Sequence, residues 1–196
     1  MAYQRKDSYY ARAKASGYRS RAAFKLQELA RKYQLIRRGD RVVDLGAWPG
    51  GWLQVAAELV GPHGLVVGVD LQPIERLNAG SVVTLVGDVA DAAVEAQLVE
   101  RCGARIDVVL SDMAPKLSGV RDRDQARAAE LAELAVGFAE NRLVPGGRLL
   151  VKVFSGAEQG ALAAARRLFT TAKLTKPESS RKESSEMYLI GIGRRA

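Results

Sequence analysis

Apolar and polar positions along the 196-residue chain alternate between two periods. From Ala22, apolar residues recur at Leu26, Leu29, Tyr33 and Ile36, spacings that lay them on one face of an α-helix. Ser20 stands where an N-cap would be, and Gly39-Asp40 predicts the end of that helix. Arg21, Lys25 and Lys32 fall along one border of the face. Short apolar runs then alternate with helical stretches. Strands are predicted at Arg41–Leu45, Leu65–Val69, Val82–Val86, Ile106–Leu110 and Arg148–Val153. Helices are predicted after Trp52 and over Ala90–Arg101, Gln125–Leu143 and Glu158–Thr170. The second run is continuously apolar, as a strand buried on both faces should be. Val144-Pro145-Gly146-Gly147 reads as the turn into the fifth strand, and the polar stretch Lys116–Asp124 as a mobile loop. A strand near Lys173 and another at Met187–Ile192, separated by the polar segment Pro177–Ser185, read as an antiparallel hairpin.

Strands joined by helices imply an α/β fold: a mostly parallel twisted sheet with helices on both faces, right-handed crossovers and a C-terminal antiparallel hairpin. No internal repeat or long linker divides the chain. One domain, residues 20–196, preceded by an arm, residues 1–19, is the simplest organisation.

In such a sheet ligands lie outside the carboxyl ends of the strands, where strand order reverses. The first strand empties into Gly46-Ala47-Trp48-Pro49-Gly50-Gly51-Trp52, a glycine-rich turn that opens a helix. Bare backbone N–H groups at a helix N-terminus suit a ligand, and glycine permits its close approach. The spacing is not the dinucleotide G-x-G-x-x-G, so nicotinamide is not indicated. The second, third and fourth strands end in Asp70, Asp88 and Asp112, and Lys152 lies near the end of the fifth. Each has an ordinary alternative: an acid closing a strand often caps the next turn, and Lys152 or Lys25 could lay its stem on the core with the amine in water.

Charge sharpens this picture. The net charge is +8, yet residues 1–38 hold eleven Lys or Arg against two acids, which leaves the remainder at −1. A one-sided basic segment is the footprint of a polyanion partner. In the arm, Arg5, Lys6, Arg12, Lys14 and Arg19 are interleaved with Tyr3, Tyr9, Tyr10 and Tyr18, residues that can neutralise phosphates and stack on unpaired bases. A solubilising tail would share that composition. A single cysteine, Cys102, excludes an internal disulfide and a cysteine-based zinc site; no metal centre is expected. The lone His63 sits in a turn. The polar start of the chain and the lack of a long apolar run point away from secretion and membranes, so the cytoplasm and a monomer are the expectations.

Five blocks in order carry a resemblance. They are Tyr18-Arg19-Ser20-Arg21-Ala22-Ala23-Phe24-Lys25-Leu26; Asp44 through Trp52; Ser111-Asp112-Met113-Ala114-Pro115; Val151-Lys152-Val153-Phe154; and Lys176-Pro177 with Ser179-Ser180-Arg181 through Glu186-Met187-Tyr188. Together they resemble the FtsJ-type ribosomal RNA 2′-O-methyltransferases. The resemblance implies a Rossmann-like class I methyltransferase domain using S-adenosylmethionine on a uridine ribose of large-subunit ribosomal RNA. It implies a Lys-Asp-Lys-Glu tetrad at Lys25, Asp112, Lys152 and Glu186. For such a donor the residues themselves suggest the contacts: Gly46, Gly50 and Gly51 of the turn, Trp52 as an apolar surface, Asp70 at about the spacing from Gly46 that suits ribose hydroxyls, Asp88 for the adenine amino group, and Asp112. Trp48 departs from the pattern, since many relatives carry alanine there.

The tetrad makes chemical sense. A ribose hydroxyl is a poor nucleophile until its proton begins to leave, whereas a sulfonium methyl is already activated. A lysine accepts a proton only when neutral, so burial, a second lysine and the sulfonium must outweigh neighbouring acids. Lys152 is therefore read as the base, Lys25 and Glu186 as orienting the ribose, and Asp112 as positioning Lys152. Transfer or messenger RNA as substrate, or a ribosome-assembly protein without catalysis, are the alternatives.

Overall fold

In the computed structural model the alternation becomes α1 (Ala22–Tyr33), β1 (Arg41–Leu45), α2 (Gly51–Val60), β2 (Leu65–Asp70), β3 (Val82–Val86), α3 (Ala92–Cys102), β4 (Ile106–Ser111), α4 (Arg121–Arg142), β5 (Leu143–Phe154), α5 (Gln159–Leu168), β6 (Phe169–Thr175) and β7 (Glu186–Arg194). The structure describes residue 13 and residues 15–103, 105–180 and 184–196. Tyr3, Arg5, Lys6, Tyr9, Tyr10, Arg12 and Lys14 of the arm, and Arg181, lie outside the described residues.

The seven strands form one sheet in the order β3-β2-β1-β4-β5-β7-β6. β1 to β5 run parallel, and β7 runs antiparallel to both its neighbours. The last two strands pair as the sequence predicts, but β7 inserts between β5 and β6 rather than adding outside them. Its reversed direction sets Tyr188 opposite Lys152 and Glu186 opposite Phe154.

Side-chain alternation along the strands splits the core in two. Val43, Leu45, Val67, Val69, Val109, Leu149, Val151 and Leu189 face α3, α4 and α5. Val42, Val66, Val108, Leu110, Leu150, Tyr188 and Ile190 face α1 and α2. Lys152 follows Leu150 by two and Asp112 follows Leu110 by two, so the same alternation carries both toward the α1 side.

Local chemistry moved several boundaries. Gln34, at a left-handed φ of 50°, ends α1 well before Gly39, although Leu35 and Ile36 stay buried. Ser20 is not the cap of α1: that place falls to Arg21, which makes no side-chain capping bond to the described residues. The Lys116–Asp124 stretch is not wholly loop, because α4 begins at Arg121. Asp124 in its first turn accepts from Ser118 N–H, Ser118 Oγ and Gly119 N–H. Pro145 and its glycines form an irregularity inside β5, where Leu143 and Arg148 flank the register shift opposite Ile106 and Val108. The link between β2 and β3, rich in helix breakers, contains no helix.

At the end of the sheet remote from the strand C-termini, Arg148 Nη2 donates to Asp40 Oδ1 at 3.1 Å, both side chains almost wholly buried. Among the described residues, the Nε and Nη1 of Arg148 have no hydrogen-bond partner. Removing the acid strands a buried guanidinium. Asp40→Ala is expected to lower the unfolding free energy in urea by about 3–5 kcal/mol, whereas a change below about 1 kcal/mol would mean that water reaches the pair.

Candidate active site

The carboxyl ends of β1 and β4, the two strands where the order reverses, lie side by side: Asp112 N–H donates to Leu45 O at 3.3 Å. Around them gather the ends of β5 and β7 and the first turns of α1. A cavity of about 290 Å³ is lined here by Arg21, Lys25, Gly46, Trp48, Gly51, Trp52, Asp112 and Glu186, among others. The predicted tetrad converges on it as two ion pairs. Lys25 Nζ is 2.7 Å from Glu186 Oε2, and Lys152 Nζ is 3.1 Å from Asp112 Oδ1 while also donating to the Asp112 carbonyl. The two lysine side chains are 7% and 6% exposed, those of Glu186 and Asp112 26% and 22%, so the acids form the more accessible side of each pair.

Tyr188 joins the pairs, and the sequence reading did not single out its role. Its hydroxyl donates to Asp112 Oδ1 at 3.2 Å, and Lys25 Nζ lies 5.7 Å from its ring centroid. Burial, then the charges of Asp112 and Glu186, push the phenol well above its usual range, so it remains a neutral donor. Burial alone would raise Glu186. The hydrogen bond and charge of Lys25, with Lys152 and Ser184, overcome this and hold its carboxyl below its ordinary value.

The glycine turn differs from expectation in what fills it. Gly50 has φ of 106°, a left-handed backbone that demands glycine. A Cβ at Gly46 would meet Met113 Cγ at 2.6 Å, and one at Gly51 would meet Ser20 Oγ at 2.3 Å. The missing side chains thus make room for the protein's own neighbours. Trp52 is buried, donates its indole N–H to Ala22 O at 2.8 Å and packs its ring 5.9 Å from that of Tyr188. It is a pillar between α1 and β7 as well as a wall of the cavity. Among the described residues no side chain caps the N-terminus of α2, whose first residues, Gly51 and Trp52, line the cavity. Such a terminus suits an anionic group.

Asp70 and Asp88 close their strands as turn organisers. Asp70 accepts from the backbone N–H of Trp48 at 3.0 Å and of Gln72 at 2.9 Å, and Asp88 from that of Ala90 at 2.9 Å. Neither they nor Gly50 and Lys152 line the cavity, although Lys152 reaches it through Asp112.

Two residues placed in the arm by sequence are tied to the domain. Tyr18 donates to Glu58 and accepts from Gln27, and burial with the Glu58 carboxylate pushes its hydroxyl up to about 12. Its edge also meets the Phe24 ring, so it is not a free stacking surface. The Arg19 guanidinium donates to the carbonyls of Pro49 (3.2 Å), Glu75 (2.6 Å) and Arg76 (2.9 Å), clamping the glycine turn to the segment after β2. Composition marked Arg19 as a phosphate ligand; nothing in the sequence shows that three carbonyls occupy it.

Asp44 opens the motif that runs from β1 into the glycine turn. It is fully buried on β1, and among the described residues neither carboxylate oxygen has a hydrogen-bond partner. Desolvation, followed by the charges of Asp112 and Asp70, raises it well above the usual carboxylate range. A carboxyl whose folded pKa is raised favours folding at low pH, and that contribution is lost as pH rises through the folded value. Asp44→Asn cannot ionise. Thermal unfolding from about pH 4 upward should show the variant gaining stability relative to wild type as pH rises. Parallel curves would mean that Asp44 is solvated or paired.

The sequence profile of the FtsJ-like methyltransferases matches residues 18–194. "Ribosomal RNA large subunit methyltransferase E" of Syntrophobacter fumaroxidans is 48% identical over 98% of this chain and 98% of its own length. The protein of the same name from Methanothermobacter thermautotrophicus is 47% identical over 97% of this chain and 91% of its own. A Plasmodium falciparum crystal structure assigned as a ribosomal RNA methyltransferase superposes with a TM-score of 0.77 at 29% identity, covering 90% of this chain and 98% of that one.

Proposed function

The chain belongs to the FtsJ-like methyltransferase family, and from that membership we propose that it methylates the ribose 2′-hydroxyl of a uridine in large-subunit ribosomal RNA. The observation that carries this reading is the meeting of the Lys25–Glu186 and Lys152–Asp112 pairs at one cavity beside the glycine turn. Family membership implies a methyl donor of the S-adenosylmethionine type, which supplies a methyl group already activated on a sulfonium.

The residues present fit such a donor. The uncapped N-terminus of α2 suits its carboxylate, and the accessible carboxylate of Asp112 suits its cationic end. In this reading Gly46, Gly50 and Gly51 shape the turn, Trp52 backs it, and Asp70 and Asp88 take ribose and adenine groups. Lys152, once its amine has given up its proton and is neutral, accepts the 2′-hydroxyl proton at Nζ. Asp112 fixes that amine through its carboxylate and its carbonyl. Lys25 and Glu186 orient the sugar, and the basic arm of residues 1–19, apart from Tyr18 and Arg19 with their partners in the domain, takes up phosphates ahead of the domain of residues 20–196. The protein acts as a monomer, in the cytoplasm, on the large subunit. The names of the relatives favour ribosomal over transfer or messenger RNA, and the intact ion pairs disfavour a binding protein without catalysis.

The test is transfer of labelled methyl to large subunits from cells lacking this gene, with the acceptor nucleotide mapped. Wild type is expected to label one uridine ribose. Lys152→Ala should reduce the rate by about 100- to 10,000-fold, the range for losing a general base. Equal rates would remove Lys152 from the chemistry, and absence of ribose labelling by wild type would overturn the function.

A further inference from the structure

We propose that the indole of Trp48 is a stacking platform for an unpaired base of the RNA substrate at the mouth of the reaction cavity; this rests on the proposed function above. Trp48 is 50% exposed, in contrast to the buried Trp52 four residues on. A single exposed apolar residue is ordinary, so exposure alone decides nothing. Its location adds the argument, because Trp48 lines the same cavity as Lys25, Asp112 and Glu186.

Three features favour a base as the occupant. The first is size. About 290 Å³ lies at the low end for small-molecule sites. It suits the reactive end of a methyl donor and one sugar, and the base attached to that sugar, or the next one along, is left at the rim. The second is charge. Arg21 and Lys25 line the cavity, Arg31 and Lys32 are exposed further along α1, and residues 1–38 carry all of the positive excess. A polyanion drawn to that side brings its bases past the indole. The third is rigidity. Trp48 N–H is held by Asp70 at 3.0 Å, Gly50 N–H bonds Ala47 O at 2.7 Å, and Arg19 grips Pro49 O. The ring is thus presented from a fixed backbone, which lowers the ordering cost of stacking.

A ring packed over the methyl donor is the competing arrangement. The cavity that Trp48 shares is lined by the ribose-orienting pair Lys25 and Glu186 as well as by Gly46, Gly51 and Asp112, so the cofactor Kd measured beside the subunit KM separates the two arrangements.

The experiment uses the full chain and unmethylated large subunits. Wild type, Trp48→Ala and Trp48→Phe are compared for the KM of the subunits and, by calorimetry, for the Kd of S-adenosylmethionine. Trp48→Ala should raise the subunit KM by about 5- to 100-fold, the range for one base stacked on one ring. The cofactor Kd should stay within about twofold. Trp48→Phe should recover most of the loss, and matched circular dichroism guards against misfolding. An unchanged subunit KM overturns the proposal. So does a cofactor Kd that weakens as much as the KM, which would put the ring over the donor. Failure of wild type to methylate the subunits would instead sink the underlying function.

Discussion

The direction of β7 is the constraint on which the site depends. A strand of nine residues spans roughly 30 Å. Run parallel to its neighbours, β7 would carry Glu186 and Tyr188 to the opposite end of the sheet from Asp112 and Lys152. Run antiparallel, it opens at the ligand end, with Tyr188 beside Lys152 and Glu186 beside the last residue of β5. Its position between β5 and β6 then sets Tyr188 under Trp52 and α1, so one reversal supplies an acid, a phenol and the floor on which Lys25 rests.

The electrostatics follow from this arrangement. Two nearly buried amines would be costly alone, and each is met by a carboxylate that is still reached from the cavity. Desolvation offsets much of the attraction in such pairs, so they add little stability and serve mainly to fix position. Tyr188 couples them without adding charge, since its surroundings keep the phenol protonated. Asp44, without a hydrogen-bond partner among the described residues, adds an acid that burial and its acidic neighbours push toward the neutral form.

The strand pattern was legible because period-two and period-3.6 signals are local. Burial on both faces marked β2, and the order of strand ends pointed to the ligand side. The tetrad was legible only through the spaced motifs; periodicity alone left Lys25 and Glu186 as ordinary surface charges. What escaped was set by contacts distant in sequence. Ser20 was lost as a cap because it packs against Gly51, Tyr18 and Arg19 were lost from the arm to Glu58 and the carbonyls of three residues, and the glycine turn was occupied from within. The early end of α1 turned on a left-handed Gln34, a residue with no special turn signature.

The pairing of β6 has a consequence for how the molecule is made. Its sheet partner is β7, which follows it in the chain. On the ribosome, β6 emerges before its neighbour exists, and β5 likewise waits with one edge open. Glu28 of α1 also holds the backbone N–H groups of Glu178 and Ser179, fastening an early helix to a late segment. Closure of the site therefore waits on β7: Lys25 meets Glu186, 161 residues later, only when that strand enters between β5 and β6.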